Sequence, residues 1–165
     1  MACVFQNVAE KKQRRKENAG FIEYRTHFAL WCLFGVPLMM GCGLRTVNET
    51  SKALMLNKEL IAIDQDGKCR PPHLAGKSGE DPYFFIRHLS NNEFVLAYFK
   101  LNEAGHEYRY SASFADLGIP YESGCGLELT DVFTGENPGV KRDYFLPAIE
   151  PHGCRRYKAK LVKIK

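Results

Sequence analysis

Paired carboxylates are the simplest acid and base machinery a soluble protein carries, so the acidic residues are the first to be placed. The first aspartate in the sequence is Asp64, closely followed by Asp66, and upstream the only acids are Glu10, Glu17, Glu23, Glu49 and Glu59. None of these glutamates stands where an apolar strand ends. Asp64 and Asp66 close the short run Leu60-Ile61-Ala62-Ile63 and read as turn and loop anchors. His27, His73, His88, His106 and His152 are scattered, with no His-x-x-x-His or His-Glu pattern, and the six cysteines include no Cys-x-x-Cys. No catalytic residue and no metal ligand is assigned on these grounds, and no cofactor is implied. Arg45 reads either as a contact to a hydroxyl-rich ligand or as a solvated turn residue. Trp31 shares a helical stripe with Tyr24 and Phe28 and is expected in the core. Tyr83, Tyr108 and Tyr121 are better placed as ring platforms, if such a surface exists.

These residues must be held by elements that the hydrophobic pattern outlines. Residues 1–19 are polar and basic and are expected to form a disordered leader. Residues 23–34 carry apolar groups at helical spacing, and Gly35 and Pro37 end that helix. Val36 to Met40 and Leu60 to Ile63 are continuous apolar runs of strand length, as in strands covered on both faces. Between them Thr46-Val47-Asn48-Glu49 offers a capping box for a second helix. Residues 67–82 are rich in Gly and Pro and form the expected linker.

Beyond that linker the period becomes two. Tyr83 to Leu89 and Glu93 to Leu101 are separated by Ser90-Asn91-Asn92, a hairpin signal, and alternation resumes from Tyr108 to Phe114. Short strands follow at Leu127 to Phe133, Tyr144 to Leu146 and Cys154 to Val162. The expected organisation is a leader (1–19), an α/β segment (20–66), a linker (67–82) and an antiparallel β-sandwich (83–165).

With 165 residues, 45% of them hydrophobic and 25% charged, the chain is an ordinary globular protein and too short for a complete (β/α)8 barrel. The net charge of +4 is more than supplied by Lys11, Lys12, Arg14, Arg15 and Lys16, so a nucleic-acid partner is not expected. Phe28 to Leu44 is uncharged, and Met39-Met40-Gly41-Cys42 resembles a distorted lipoprotein cleavage site. The run starts far from Met1 and contains Gly35, Pro37 and Gly41. No membrane association is therefore expected, no convincing signal peptide is present, and a cytoplasmic location is favoured.

Three stretches then carry a resemblance: Glu23-Tyr24-Arg25-Thr26-His27-Phe28-Ala29-Leu30-Trp31-Cys32, Pro37-Leu38-Met39-Met40-Gly41-Cys42-Gly43-Leu44-Arg45, and Ile61-Ala62-Ile63-Asp64-Gln65-Asp66. Their order and spacing resemble the α-galactosidases of glycoside hydrolase family 27. Ala115-Asp116-Leu117-Gly118, Leu129-Thr130-Asp131-Val132-Phe133-Thr134-Gly135 and Pro151-His152-Gly153-Cys154 resemble the sandwich that closes those enzymes.

The resemblance implies an α+β chain: a remnant of a (β/α)8 barrel, with strands seven and eight and their helices, followed by an antiparallel sandwich. It also implies a carbohydrate partner, the terminal α-galactoside that family members hydrolyse with retention. Both catalytic aspartates of the family would lie upstream of the matched region. Strand seven of the family ends in an Asp-Leu-Arg triplet in the sugar pocket, and here the triplet is Gly43-Leu44-Arg45. Those three are the candidate substrate-binding residues. The chain is expected to be inactive alone, to act alternatively as a non-catalytic carbohydrate-binding or interaction module, and to self-associate through the truncated barrel.

Overall fold

The computed structural model describes residues 20–41, 43, 45–75, 82–102, 108–109, 112–145 and 147–164, and the expected leader lies outside them. Helix α1 occupies residues 20–34. Its buried face is Thr26, Ala29, Cys32 and Leu33, a spacing of three and four that makes one stripe. Tyr24, at 66% exposed, and Trp31, at 37%, lie outside that stripe, which corrects the expected core position of Trp31. The indole of Trp31 instead donates to His27 Nε2, one turn back, at 3.0 Å.

The end of α1 is closed twice. Gly35, at φ +63°, donates its N–H to Trp31 O at 3.1 Å, a left-handed cap that glycine adopts without cost. Arg87 Nη1 then donates to Cys32 O and Leu33 O, both at 2.9 Å, and satisfies two carbonyls that the helix leaves over. A Cβ on Gly35 would sit 2.9 Å from Arg87 Nη2.

Two short helices follow. Helix α2, Glu49–Met55, is capped by Asn48, whose side chain accepts from Ser51 N at 2.7 Å. The cap is not at Thr46, because the Thr46 hydroxyl donates back to Gly43 O at 3.2 Å. Helix α3, Lys58–Asp64, is capped by Asn57, which accepts from Leu60 N at 3.0 Å. The two runs expected as barrel strands therefore differ from expectation. Leu60 to Ile63 is helical, with Leu60 and Ile63 turned inward, and residues 36–40 form no ladder and are exposed.

The remaining elements are β1 (His73–Ala75), β2 (Tyr83–His88), β3 (Glu93–Phe99), β4 (Tyr108–Arg109), β5 (Ala112–Ser113), β6 (Cys125–Asp131), β7 (Gly139–Lys141), β8 (Tyr144–Phe145), β9 (Ala148–Ile149) and β10 (Cys154–Lys163). The main sheet is antiparallel, in the order β1-β2-β3-β10-β6-β7, and β4-β9 and β5-β8 form two short ladders. Asn91 and Asn92 take left-handed conformations in the β2–β3 turn, as the Asn-Asn signal requires. Strand β1 falls within the expected linker and pairs with β2.

Alternation along β3 divides the core. Val95, Ala97 and Phe99 face the helices and pack with Ala29, Cys32, Leu33, Leu54, Leu60, Ile63 and Cys154. Leu96 and Tyr98 face the other way and pack with Phe84, Leu127, Leu129, Tyr157, Phe114 and Ile149. The chain is thus an α+β protein, with a helical layer on one face of an antiparallel sheet and short ladders on the other.

The motifs singled out in the sequence meet at the seam between those layers. Arg25 pairs with Glu150, the Thr26 hydroxyl donates to His152 O at 2.7 Å, and Cys32 and Cys154 enter the same apolar cluster. Pro151-His152-Gly153-Cys154 is the turn that leads into β10. There a Cβ on Gly153 would meet Glu150 O at 2.7 Å, so only glycine fits.

Candidate functional site

The candidate triplet lies in the loop between α1 and α2. Gly43 O accepts from Thr46 N at 3.0 Å and from the Thr46 hydroxyl, which folds the loop into a turn. Arg45 is exposed on that turn, and Leu44 lies outside the described residues. No carboxylate stands at this position, since residue 43 is glycine. The preceding stretch is apolar and open, with Met39 85% and Met40 57% exposed and Val36 and Leu38 each at 37%.

Asp64 and Asp66 have different surroundings. The Asp66 carboxylate, although burial works against its charge, is held below the usual carboxylate range by the N–H groups of Ser90 and Lys68. It is the loop anchor the sequence implies. Burial pushes the Asp64 carboxyl upward, with the Arg87 guanidinium partly offsetting it, and Asp64 Oδ1 is buried without a hydrogen-bond partner.

A cleft of about 370 Å³ opens beside α3 and is lined by Glu59, Glu93, Glu128, Asp131, Lys158 and Lys160, among others. Lys158 Nζ lies 3.2 Å from Glu59 Oε2 and 3.8 Å from Glu93 Oε2, so an ammonium fills the space between the two carboxylates. Asp131 accepts from the N–H groups of Phe133 and Thr134 at 2.8 and 3.0 Å, and Glu128 accepts from Asn137. These acids are occupied in turns and ion pairs. They do not flank an empty site about 5 Å across, which a retaining glycosidase pair needs for the anomeric carbon.

The lining of the cleft includes no aromatic ring on which a sugar could stack. Of the candidate platforms, Tyr83 packs against the helical cluster and the Tyr108 side chain lies outside the described residues. Tyr121 is 64% exposed, but the Arg142 guanidinium stands 5.7 Å from its ring centre. Among the described residues no group of three or more His, Cys, Asp or Glu is placed to hold a metal ion, and no helix is long and apolar enough to cross a membrane.

Sequence reasoning missed Arg87 and Arg156. Arg156 is fully buried over the Phe99 ring, 5.2 Å from its centre, and none of its guanidinium nitrogens has a hydrogen-bond partner. Burial brings it down to about 10, with Cys154 and Cys32 acting in the opposite direction. In an alternating strand such arginines read as solvent-facing, and the only signal was their place between buried neighbours.

The fold and these positions have counterparts in known proteins. The alpha galactosidase A family model matches residues 20–66. An alpha-galactosidase of Cyamopsis tetragonoloba is 29% identical over 135 residues, covering 82% of this chain and 32% of that protein. An alpha-N-acetylgalactosaminidase of Gallus gallus is 33% identical over 131 residues, covering 78% and 32%. Among solved structures, alpha-galactosidase I from Mortierella vinacea superposes with a TM-score of 0.75 at 23% identity, covering 88% of this chain and 37% of that one. A family 27 β-L-arabinopyranosidase from Geobacillus stearothermophilus gives 0.74 at 24% identity, covering 85% and 30%. The chain spans about a third of the length of the curated relatives it matches.

Proposed function

The chain matches the C-terminal part of glycoside hydrolase family 27 proteins in sequence and in fold, and from this we propose that it is the C-terminal portion of a retaining α-galactosidase-like hydrolase and is inactive by itself. Hydrolysis of terminal α-galactosides belongs to the intact enzyme. The relatives act on more than one sugar, so the proposal is for the family's reaction rather than for one glycoside. Within this reading residues 20–66 close the catalytic domain, 83–165 are the sandwich, and 67–82 run between them and add β1 to the edge of the main sheet. Gly43, Leu44 and Arg45 border the sugar pocket once the rest of that domain is present.

One observation carries the inactivity. The carboxylates that line the cleft beside α3 are taken up by Lys158 and by backbone N–H groups, whereas retaining hydrolysis needs one carboxyl to attack and one to release the leaving group. Purified chain is expected to release nitrophenol from nitrophenyl α-galactoside no faster than buffer. Turnover that follows the chain through successive columns would overturn the reading. The alternative, a carbohydrate-binding sandwich without catalysis, is favoured by a glycan-array signal in the absence of hydrolysis.

A further inference from the structure

We propose that the margin of the sheet where the loop after α3 meets β1 and β2 is a binding site for a tetrahedral oxyanion, the phosphate or sulfate group of a small ligand, and that it fastens more tightly as the pH falls. The proposal is independent of the family reading. Four cationic or protonatable side chains belong to this margin: Lys68 and Arg70 from the loop, His73 from β1 and His88 from β2, and the charges of the other three are felt at His88. The register pairs His73 with Ile86, which places His73 and His88 on one face, and their rings stack 5.8 Å apart at 15°. Phe94 of β3 closes the far side of the His88 ring at 6.1 Å.

The backbone under this cluster is fixed. The Asp66 carboxylate accepts from Lys68 N at 3.1 Å and from Ser90 N at 2.9 Å, and Lys68 Nζ donates to Leu89 O at 3.3 Å. Asp66 stands at the start of this loop, and these N–H groups occupy its carboxylate. Glu93, on the strand behind, is turned to Lys158 on the opposite face. None of the four basic groups has an ion-pair partner among the described residues, whereas Arg25 has one and Lys158 has two. Stacked imidazoles beside two permanent cations repel a metal ion and each other's protons, and a bound dianion removes that repulsion.

The mutual repulsion is visible at His88. Burial lowers its imidazole first, and then the charges of His73, Arg70 and Lys68 lower it further. Protonating the His88 ring supplies an additional donor to the anion and draws it in, so anion binding and proton uptake reinforce one another.

The test is a titration of the full chain with inorganic sulfate, which stays dianionic across the range, followed by NMR at the imidazole Cε1 protons of His73 and His88. Inorganic phosphate serves as a second arm, and chloride and acetate at matched ionic strength as controls. The expected result is saturation of both imidazole signals by sulfate and by phosphate, with sulfate about tenfold tighter near about pH 5.5 than near about pH 8, and with no saturation by the controls. In Arg70→Gln and His88→Gln, each first shown to keep the wild-type amide spectrum, the affinity is expected to fall several-fold. Shifts that grow linearly and equally for chloride and sulfate, or affinity unchanged in both variants, would overturn the proposal.

Discussion

Arg87 of β2 and Arg156 of β10 flank β3, opposite Val95 and Ala97, and both are buried under the helical layer, but only Arg87 has hydrogen-bond acceptors. Arg87→Met would leave Cys32 O and Leu33 O without their donor inside the protein, at a cost of about 3 kcal/mol. Arg156→Met removes an unpaired buried cation while keeping much of the volume over Phe99, and it is expected to stabilise by on the order of 1 kcal/mol or more. Urea midpoints for the two variants should therefore move in opposite directions. Two shifts of the same sign would show that the environment of one arginine is misread.

The thiols of the same seam give a pH dependence. Burial pushes Cys32 up from 9.0 to about 11, despite the nearby Arg156, and burial also raises Cys154. A thiol raised in the folded state contributes stability that is complete below its unfolded value and is lost as the pH climbs toward the folded one. The melting temperature should therefore fall between pH 9.0 and about 11, and the slope should flatten in a Cys32→Ala, Cys154→Ala double variant. Arg156, lowered to about 10, acts with the opposite sign only above that value, which leaves the first part of the window to the thiols.

At the scale of the element, α1 depends on its C-terminal closure. Gly35→Ala forces a side chain into φ +63° and against a guanidinium whose other nitrogen is already bonded to the helix. A loss on the order of 1–3 kcal/mol is expected in chemical denaturation. A midpoint equal to wild type would mean that the cap is dispensable.

The sandwich strands were legible because period-two alternation is specific and Asn91-Asn92 supplies the left-handed turn. Leu60 to Ile63 was not, because four apolar residues fit a buried strand or a helix equally well. Asn57 three residues before Leu60, with Glu59 in the first turn, was the signal for the helix. The capping box at Thr46 failed for a local reason, since Gly43 O captured the hydroxyl. Trp31 failed because the buried stripe of α1 runs through Ala29, Cys32 and Leu33 and not through the largest rings.

At the scale of the whole molecule, the candidate site follows from how the two layers differ. The sheet is buried on both faces near its centre, with Val95 to Phe99 fully enclosed. The segment leading to Gly43 has no strand neighbour among the described residues and leaves Met39 and Met40 in solvent. The sequence resemblance located that segment, but its loss of strand form could not be read from residue types, because strand form needs a neighbour to accept the backbone hydrogen bonds. Exposed apolar surface of this kind favours association, and we propose residues 36–40 as the surface through which copies of the chain meet.

Residues 36–40 are exposed and form no ladder, whereas the helical layer and the sheet share a buried core. Amide hydrogen exchange, read at concentrations where light scattering gives the monomer mass, tests this contrast most directly. Val36 and Leu38 to Met40 are expected to exchange at nearly the rate of an unstructured peptide, and Val95 to Phe99 only through global unfolding. A monomer in which residues 38–40 exchange as slowly as residues 95–99 would contradict the account.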